Sequence, residues 1–86
     1  MKPVTSAQIK MARAALDWTV RDLAEAAGLH RNTITNIEVG RYAGDPETLA
    51  TVRSVLVRAG VQFIDENGGG VGVRLRKPSS GKSVDK

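Results

Sequence analysis

Four polar side chains within six residues have the chemistry to read the edges of base pairs: Arg31, Asn32, Thr33 and Asn36. An arginine can bond guanine through two donors, and an asparagine can bond adenine in the same bidentate way in the DNA major groove. These residues fall on the outer face of a predicted short helix, whose apolar stripe is formed by Ile34 and Ile37. The combination favours the base edges of duplex DNA as the ligand.

A second helix, joined to this one by a tight turn, is needed to hold the polar face of the outer helix toward solvent. A helix capped by Thr19 is predicted over residues 20 to 27, because an acid three residues after the threonine gives capping-box spacing. Gly28 then tolerates the left-handed conformation that ends a helix. The outward-facing helix is predicted over residues 30 to 39 and is closed by Gly40. Together these segments predict a helix-turn-helix DNA-binding module.

Two further helices are expected to support this pair. The first begins after Thr5, which has Gln8 at capping-box spacing. The last begins after Asp45, a favoured cap, with Pro46 in its first turn, and it extends to residue 59. Trp18, which lies between the first two helices, is interpreted as an anchor of the core.

After Gly60 the apolar period changes to two, which predicts β-strands over residues 61–66 and 71–76 around a glycine-rich turn. The GGGVG run is interpreted as part of that turn, because no helix follows it to complete a phosphate-binding loop. We therefore expect a mainly α fold of four to five helices with a C-terminal β-hairpin. Its parts are a DNA-binding domain over 1–60, the hairpin over 61–76 and a disordered basic tail over 77–86.

The charge of the chain is unevenly distributed. The 86 residues carry a net charge of +4, and all of it lies after residue 73, where five basic residues face one acid. A near-neutral domain followed by a basic tail fits a nucleic-acid partner. Three aromatic residues are too few for a typical single-strand-binding surface.

The composition offers no support for catalysis or membrane insertion. The chain has one histidine, no cysteine and no pair of carboxylates that spacing brings together, so we expect no enzyme activity, no metal and no cofactor. No apolar run is long enough to span a bilayer or to form a signal peptide. We therefore expect a cytoplasmic protein without membrane contact, and no separate sensor domain within 86 residues.

One spacing pattern joins the two central helices: Leu23-Ala24, Gly28, Ile34, Ile37-Glu38 and Gly40. Ala24 permits the helices to cross closely, Gly28 makes the turn, and Ile34 seats the outer helix on the core. This pattern resembles that of the Cro and lambda-repressor-like helix-turn-helix family, also called the xenobiotic-response-element (XRE) type. The resemblance covers residues 5–60 and implies a transcriptional regulator that binds double-stranded DNA.

The resemblance implies a role for each polar residue around the outer helix. Base contacts are expected from Arg31, Asn32, Thr35 and Asn36. Backbone contacts are expected from Arg21, His30, Thr33, Arg41 and Tyr42. Val20 stands where the family often has a glutamine that supports a phosphate contact, so that contact is lost or moves to Arg21. His30 stands where the family has a serine or threonine cap; it is interpreted as a tolerated surface residue, or as a phosphate contact when charged at low pH.

Glu38 is expected to tie the outer helix to a neighbouring helix by hydrogen bonds. The hairpin is expected to pack on a second copy of the chain, because an isolated two-stranded hairpin is marginally stable and exposes its strand edges. Its interface residues would be Val61, Phe63, Ile64, Val71, Val73 and Leu75. A homodimer would place its two outer helices about one helical turn apart, which predicts a near-palindromic operator.

Two other functions are compatible with the same residues. Many small members of this family are antitoxins, which bind a toxin and also repress their own promoter. The fold can also serve as a protein-bridging module that contacts the transcription machinery without reading bases. Activators and repressors use the same DNA-reading helix, so the sequence does not separate these two roles.

Overall fold

The computed structural model describes residues 4–76, which fold into four helices followed by an antiparallel hairpin. The helices are α1 (Ser6–Leu16), α2 (Val20–Ala27), α3 (Arg31–Glu38) and α4 (Pro46–Arg58). The strands are β1 (Val61–Ile64) and β2 (Gly72–Leu75), which form one sheet. The predicted mainly α fold with a C-terminal hairpin is confirmed. The predicted disordered tail over 77–86 lies outside the described residues.

The helices begin where the capping signals predict. Thr5 and Gln8 exchange two hydrogen bonds of 3.1 Å between side chain and backbone, and Thr19 and Asp22 form the same reciprocal pair before α2. Asp45 caps α4 by accepting a 2.7 Å hydrogen bond from a backbone N–H of the first turn. That bond favours the charged carboxylate and lowers the pKa of Asp45 below its usual range.

Left-handed residues end the first two helices. Gly28 follows α2 with a φ of 68°, as its position predicts. Asp17 follows α1 with a φ of 60°, a conformation that is strained for a residue with a side chain. Its carboxylate also lies at the end of α1 where the helix dipole disfavours negative charge. The turn between α1 and α2 therefore carries a local energetic cost.

The hydrophobic core lies where the four helices and the hairpin meet. Its large and almost completely buried side chains are Ile9, Leu23, Ile34, Val52, Leu56 and Val61. Ala24 is buried on the α2 side that packs against α3, consistent with a close crossing of these helices. Because β1 supplies one of the core residues, the hairpin is an integral part of the domain.

The hairpin packs on α1 and α4, so it does not stand alone as the sequence interpretation assumed. Gln8 is 2% exposed, and its Nε2 donates to the carbonyl oxygens of Ile64 at 3.1 Å and Gly72 at 3.0 Å. The Oε1 of the same side chain accepts from the N–H of Thr5. Gln8 therefore joins the beginning of α1 to the ends of both strands that flank the hairpin loop.

The strands are shorter than the predicted 61–66 and 71–76: residues 65, 66 and 71 belong to the loop between them, and residue 76 follows β2 at the other end. The carboxylate of Glu66 accepts hydrogen bonds from the N–H groups of Gly68 at 3.2 Å and Gly70 at 3.1 Å. Glu66 therefore belongs to the loop, where its side chain holds the glycine-rich turn, and not to β1. The same bonds occupy the donors that a phosphate would need, so the GGGVG run is a structural turn.

Candidate nucleic-acid interface

Helix α3 has a buried face and an exposed face. Ile34 and Ile37 are buried against the core, and they fix the rotation of the helix. The polar residues predicted to contact DNA occupy the rest of its surface: Arg31, Asn32 and Thr35 are exposed, and Thr33 and Asn36 are half-buried. The helix therefore presents guanidinium, carboxamide and hydroxyl groups outward over eight residues.

The side chain of His30 caps α3, although histidine is not among the favoured capping residues. Its Nδ1 accepts a 3.1 Å hydrogen bond from the backbone N–H of Asn32. Because an accepting ring nitrogen carries no proton, the neutral imidazole has its proton on Nε2. The exposed ring can therefore donate a hydrogen bond to a phosphate without becoming charged. A doubly protonated ring has no accepting nitrogen, so the phosphate contact expected of a charged His30 and the cap of α3 exclude each other.

A bidentate ion pair anchors the C-terminal end of α3 to α1. Arg13 donates from Nε and Nη2 to the carboxylate of Glu38 at 2.7 and 2.8 Å, and from Nη1 to the carbonyl oxygen of Trp18 at 3.0 Å. The hydrogen bond to Glu38 raises the pKa of Arg13. The Glu38 side chain is only 6% exposed. The predicted tie from Glu38 is confirmed, and its partner is Arg13, which no local sequence signal identifies.

The segment after α3 holds two of the predicted backbone-contact residues. The carbonyl oxygen of Asn36 accepts hydrogen bonds from the N–H groups of Arg41 at 2.9 Å and Tyr42 at 3.2 Å. The hydroxyl of Tyr42 accepts a 3.3 Å bond from the N–H of Asp45. Both side chains are exposed, and in residues 4–76 no carboxylate lies within ion-pair distance of Arg41. Among the described residues, Arg41 therefore presents a positive charge without a carboxylate partner beside the end of α3.

Arg21 lies on the exposed side of α2, near the beginning of α3. It lines a shallow cleft together with His30 and Arg31. Its guanidinium is 4.0 Å from the carboxylate of Glu25, an exposed contact that solvent screens. Val20 packs against the core, so the residue at the family's glutamine position offers no polar group to DNA. Arg21 is the cation closest in sequence to that position.

A helix-turn-helix family model matches residues 9–56, which is more than half of the chain. The matched segment contains the α2–turn–α3 unit and most of the two helices that support it. The chain belongs to the XRE-type helix-turn-helix family. This family consists of regulators that bind double-stranded DNA. The exposed face of α3 is therefore the candidate DNA-binding surface of an XRE-type domain.

No curated protein matches the chain. In the part of the XRE-type protein that the structure describes, no group of three His, Cys, Asp or Glu residues is placed to hold a metal ion. None of the helices described within residues 4–76 has both the length and the apolar character needed to cross a membrane.

The six hairpin residues predicted to form a dimer interface have different surroundings. Val61 is fully buried, and Phe63 and Val73 pack against the same core, so these three stabilise the XRE-type domain itself. Two of the others are half-buried, Ile64 and Val71. Leu75 is 51% exposed. Leu75 is therefore the hairpin residue that presents the most accessible apolar surface.

Proposed function

We propose that this XRE-type protein regulates transcription by reading a specific duplex DNA sequence with α3 in the major groove. The observation that carries the proposal is the exposed face of α3, which consists of groups able to bond base edges and has Arg21 and Arg41 at its two ends. A helix of eight residues is about 12 Å long, so it can face roughly four base pairs. The Arg13–Glu38 pair, whose carboxylate is buried, holds this helix in place.

In this proposal, the side chains that project from α3 contact the bases. Arg31 and Asn32 lie in its first turn, the part that contacts base edges in helix-turn-helix complexes. Arg31 is suited to guanine, and Asn32 to adenine. Asn36 lies one turn later on the same side of the helix as Asn32. Thr35 offers a hydroxyl and a methyl group, and the methyl group suits thymine.

Contacts to the phosphates come from the residues around α3: Arg21, His30, Thr33, Arg41 and Tyr42. Arg41 contributes most, because within residues 4–76 it has no carboxylate partner that would reduce its charge toward a phosphate. Each phosphate that a cation neutralises releases a counterion, so this contact makes the affinity depend on salt. Arg21 contributes less, because the Glu25 carboxylate lies near its guanidinium.

Single substitutions distinguish base reading from general charge attraction. Arg31→Ala and Asn36→Ala should each cost roughly 1–3 kcal/mol on the preferred duplex, with a much smaller change on random DNA. Arg58→Ala is the matched control, because Arg58 is an exposed arginine of α4 that lies outside the α3 surface. Equal losses on preferred and random duplexes would remove the base-reading role. A comparable loss of DNA affinity in Arg58→Ala would show that the affinity depends only on the net charge of the protein.

The strand edges support a homodimer. The N–H of Arg76 donates to the carbonyl oxygen of Gly60 at 2.8 Å, and hydrogen-bonded pairs alternate with open pairs along an antiparallel ladder. The backbone groups of Val73 and Leu75 therefore point away from β1, toward the outer edge of β2. We infer that a second copy pairs at this edge, covers Leu75 and places a second α3 over the other half of a near-palindromic operator.

Leu75→Pro tests this interface without removing the core residue Val61. The substitution deletes an N–H that points away from β1, so the hairpin and its packing on α1 should persist. The expected result is a monomer by sedimentation velocity, with retained circular dichroism and weaker operator binding. Leu75→Lys, which adds charge to the same edge, should act in the same direction. A dimer that persists in both variants would exclude this edge as the interface.

A further inference from the structure

An apolar groove opens between the start of α1, the segment after α3 and the first turns of α4. Its volume is about 810 Å³, which lies within the range of roughly 300–1,000 Å³ typical of small-molecule sites. The apolar part of its wall is formed by Val4, Ile37, Tyr42, Ala43, Pro46 and Leu49. The groove is thus large enough to bury the body of a small organic molecule.

Among the described residues that line this groove, the one with a formal charge is Arg53. This side chain is half-buried, and within the described part of the chain no carboxylate lies within ion-pair distance of it. The guanidinium carbon lies 5.3 Å from the centroid of the Phe63 ring. That cation–π contact orients the guanidinium without neutralising it. Within residues 4–76, the groove therefore combines an apolar wall with an oriented cation that has no carboxylate partner.

We propose that this groove binds an amphipathic organic anion, a small molecule with an apolar body and one carboxylate. Its body lies against Ile37 and Leu49, and its carboxylate accepts hydrogen bonds from Arg53. Arg53 would repel a cationic ligand, and a neutral ligand would form no hydrogen bond between two charged groups with it. A charge-assisted bond to a guanidinium in a partly apolar setting is stronger than a neutral one, so the charge sets the ligand class.

The position of the groove couples it to the surface around α3. Gly40, Tyr42 and Ala43 line the groove, and they flank Arg41, the main proposed phosphate contact. This coupling rests on the proposed function. A ligand that favours one arrangement of this segment changes the DNA affinity, and bound DNA changes the ligand affinity by the same factor. The DNA-binding domain would then carry its own effector site.

Octanoate and 1-octanol are the probes, because they share an apolar chain and differ in charge. Each is titrated into the full chain below its aggregation concentration, and the backbone amides are followed by 1H–15N NMR. Octanoate should shift the amides of Ser6, Gly40, Ala43 and Ala50, and should leave those of α2 unchanged. It should bind roughly tenfold more tightly than octanol, as expected for one charge-assisted hydrogen bond.

Substitutions at the groove complete the test. Arg53→Gln should lower the octanoate affinity to that of octanol, and Arg53→Lys should restore most of the difference. Ala50→Phe places a ring in the groove and should abolish binding of both probes. Arg58→Gln removes an equal charge from the same helix outside the groove, so it should change nothing.

Three results would overturn the proposal. The first is the absence of localised shifts, and the second is equal octanoate binding by the wild type and Arg53→Gln. The third is a change of oligomeric state in Ala50→Phe without localised octanoate shifts, which would assign the groove to a second copy of the chain. None of these measurements uses DNA, so they remain valid if the proposed function fails. Octanoate binding without any effect on DNA affinity would overturn the coupling alone.

Discussion

Gln8 provides the sharpest test of how the hairpin is held to the helices. In Gln8→Glu the shape of the side chain is unchanged, and one carboxylate oxygen can still accept from the N–H of Thr5 in the capping box. The other oxygen replaces the Nε2 that donates to the carbonyl oxygens of Ile64 and Gly72. The substitution therefore retains the cap of α1 and removes the link to the hairpin.

The expected loss of stability in Gln8→Glu follows from the two lost hydrogen bonds and from the introduced negative charge. Two lost hydrogen bonds are worth about 2 kcal/mol together, and a buried carboxylate facing two carbonyl oxygens adds desolvation and repulsion. We expect the free energy of unfolding at pH 7 to fall by about 2–5 kcal/mol. That is a large share of the stability of roughly 5–15 kcal/mol that is typical of a small domain.

The loss of stability in Gln8→Glu should become smaller as the pH falls. The protonated carboxyl can donate one hydrogen bond and carries no charge, so folding raises the pKa of the introduced group above its unfolded value of about 4.3. The folded state therefore binds the proton more tightly, and its stability relative to the wild type is restored as the pH falls through the folded pKa. One of the two bonds stays absent, so the recovery is incomplete.

Urea unfolding followed by circular dichroism, at pH 7 and at about pH 4.5, measures both effects as differences from the wild type. Gln62→Glu is the matched control: Gln62 is exposed, and its Oε1 accepts a 3.2 Å hydrogen bond from Arg74. That substitution should change the stability by less than about 0.5 kcal/mol. A Gln8→Glu protein within about 0.5 kcal/mol of the wild type at pH 7, or with an equal deficit at both pH values, would show that the Nε2 bonds of Gln8 do not hold the hairpin to α1.

Three further predictions concern α1, α3 and the segment after it. Glu38→Gln should lower the free energy of unfolding by about 3 kcal/mol in urea titrations. Glu25→Gln, which alters an exposed pair, should lower it by less than about 0.5 kcal/mol. Equal losses in the two variants would show that burial does not strengthen the Arg13–Glu38 pair. Asp17→Gly should raise the melting temperature, by relieving the left-handed φ and the dipole repulsion, by the equivalent of about 1 kcal/mol. An unchanged or lower melting temperature would count against strain at this turn. Arg41→Ala should weaken binding to all duplexes alike and reduce the slope of affinity against salt by about one; an unaltered slope would exclude a phosphate contact.

The local parts of the fold could be predicted from the sequence because their signals lie within a few residues. The caps Thr5, Thr19 and Asp45 each act on an N–H three residues away, and Gly28 ends α2 through its own backbone. The family and the overall fold follow from these signals and from the apolar spacing of α2 and α3.

The connections between elements could not be predicted in the same way. Arg13 bonds a residue 25 positions away, and Gln8 bonds residues 56 and 64 positions away, so no local pattern reveals them. The predicted strands were too long because residues 65, 66 and 71 belong to the loop, where the carboxylate of Glu66 accepts from the N–H groups of Gly68 and Gly70. The base and phosphate contacts remain predictions, since they depend on a DNA molecule whose sequence the chain does not encode.

Selection of duplex DNA from a random pool, at about physiological salt, is the direct test of base reading by α3. A dimer that reads bases should enrich an inverted repeat whose half-sites are centred about 10 base pairs apart, and Arg31→Ala should lose that enrichment. A folded protein that enriches no sequence would contradict base reading, and would favour a function through a protein partner. Enrichment of a single unrepeated site would retain base reading by α3 and contradict the dimer.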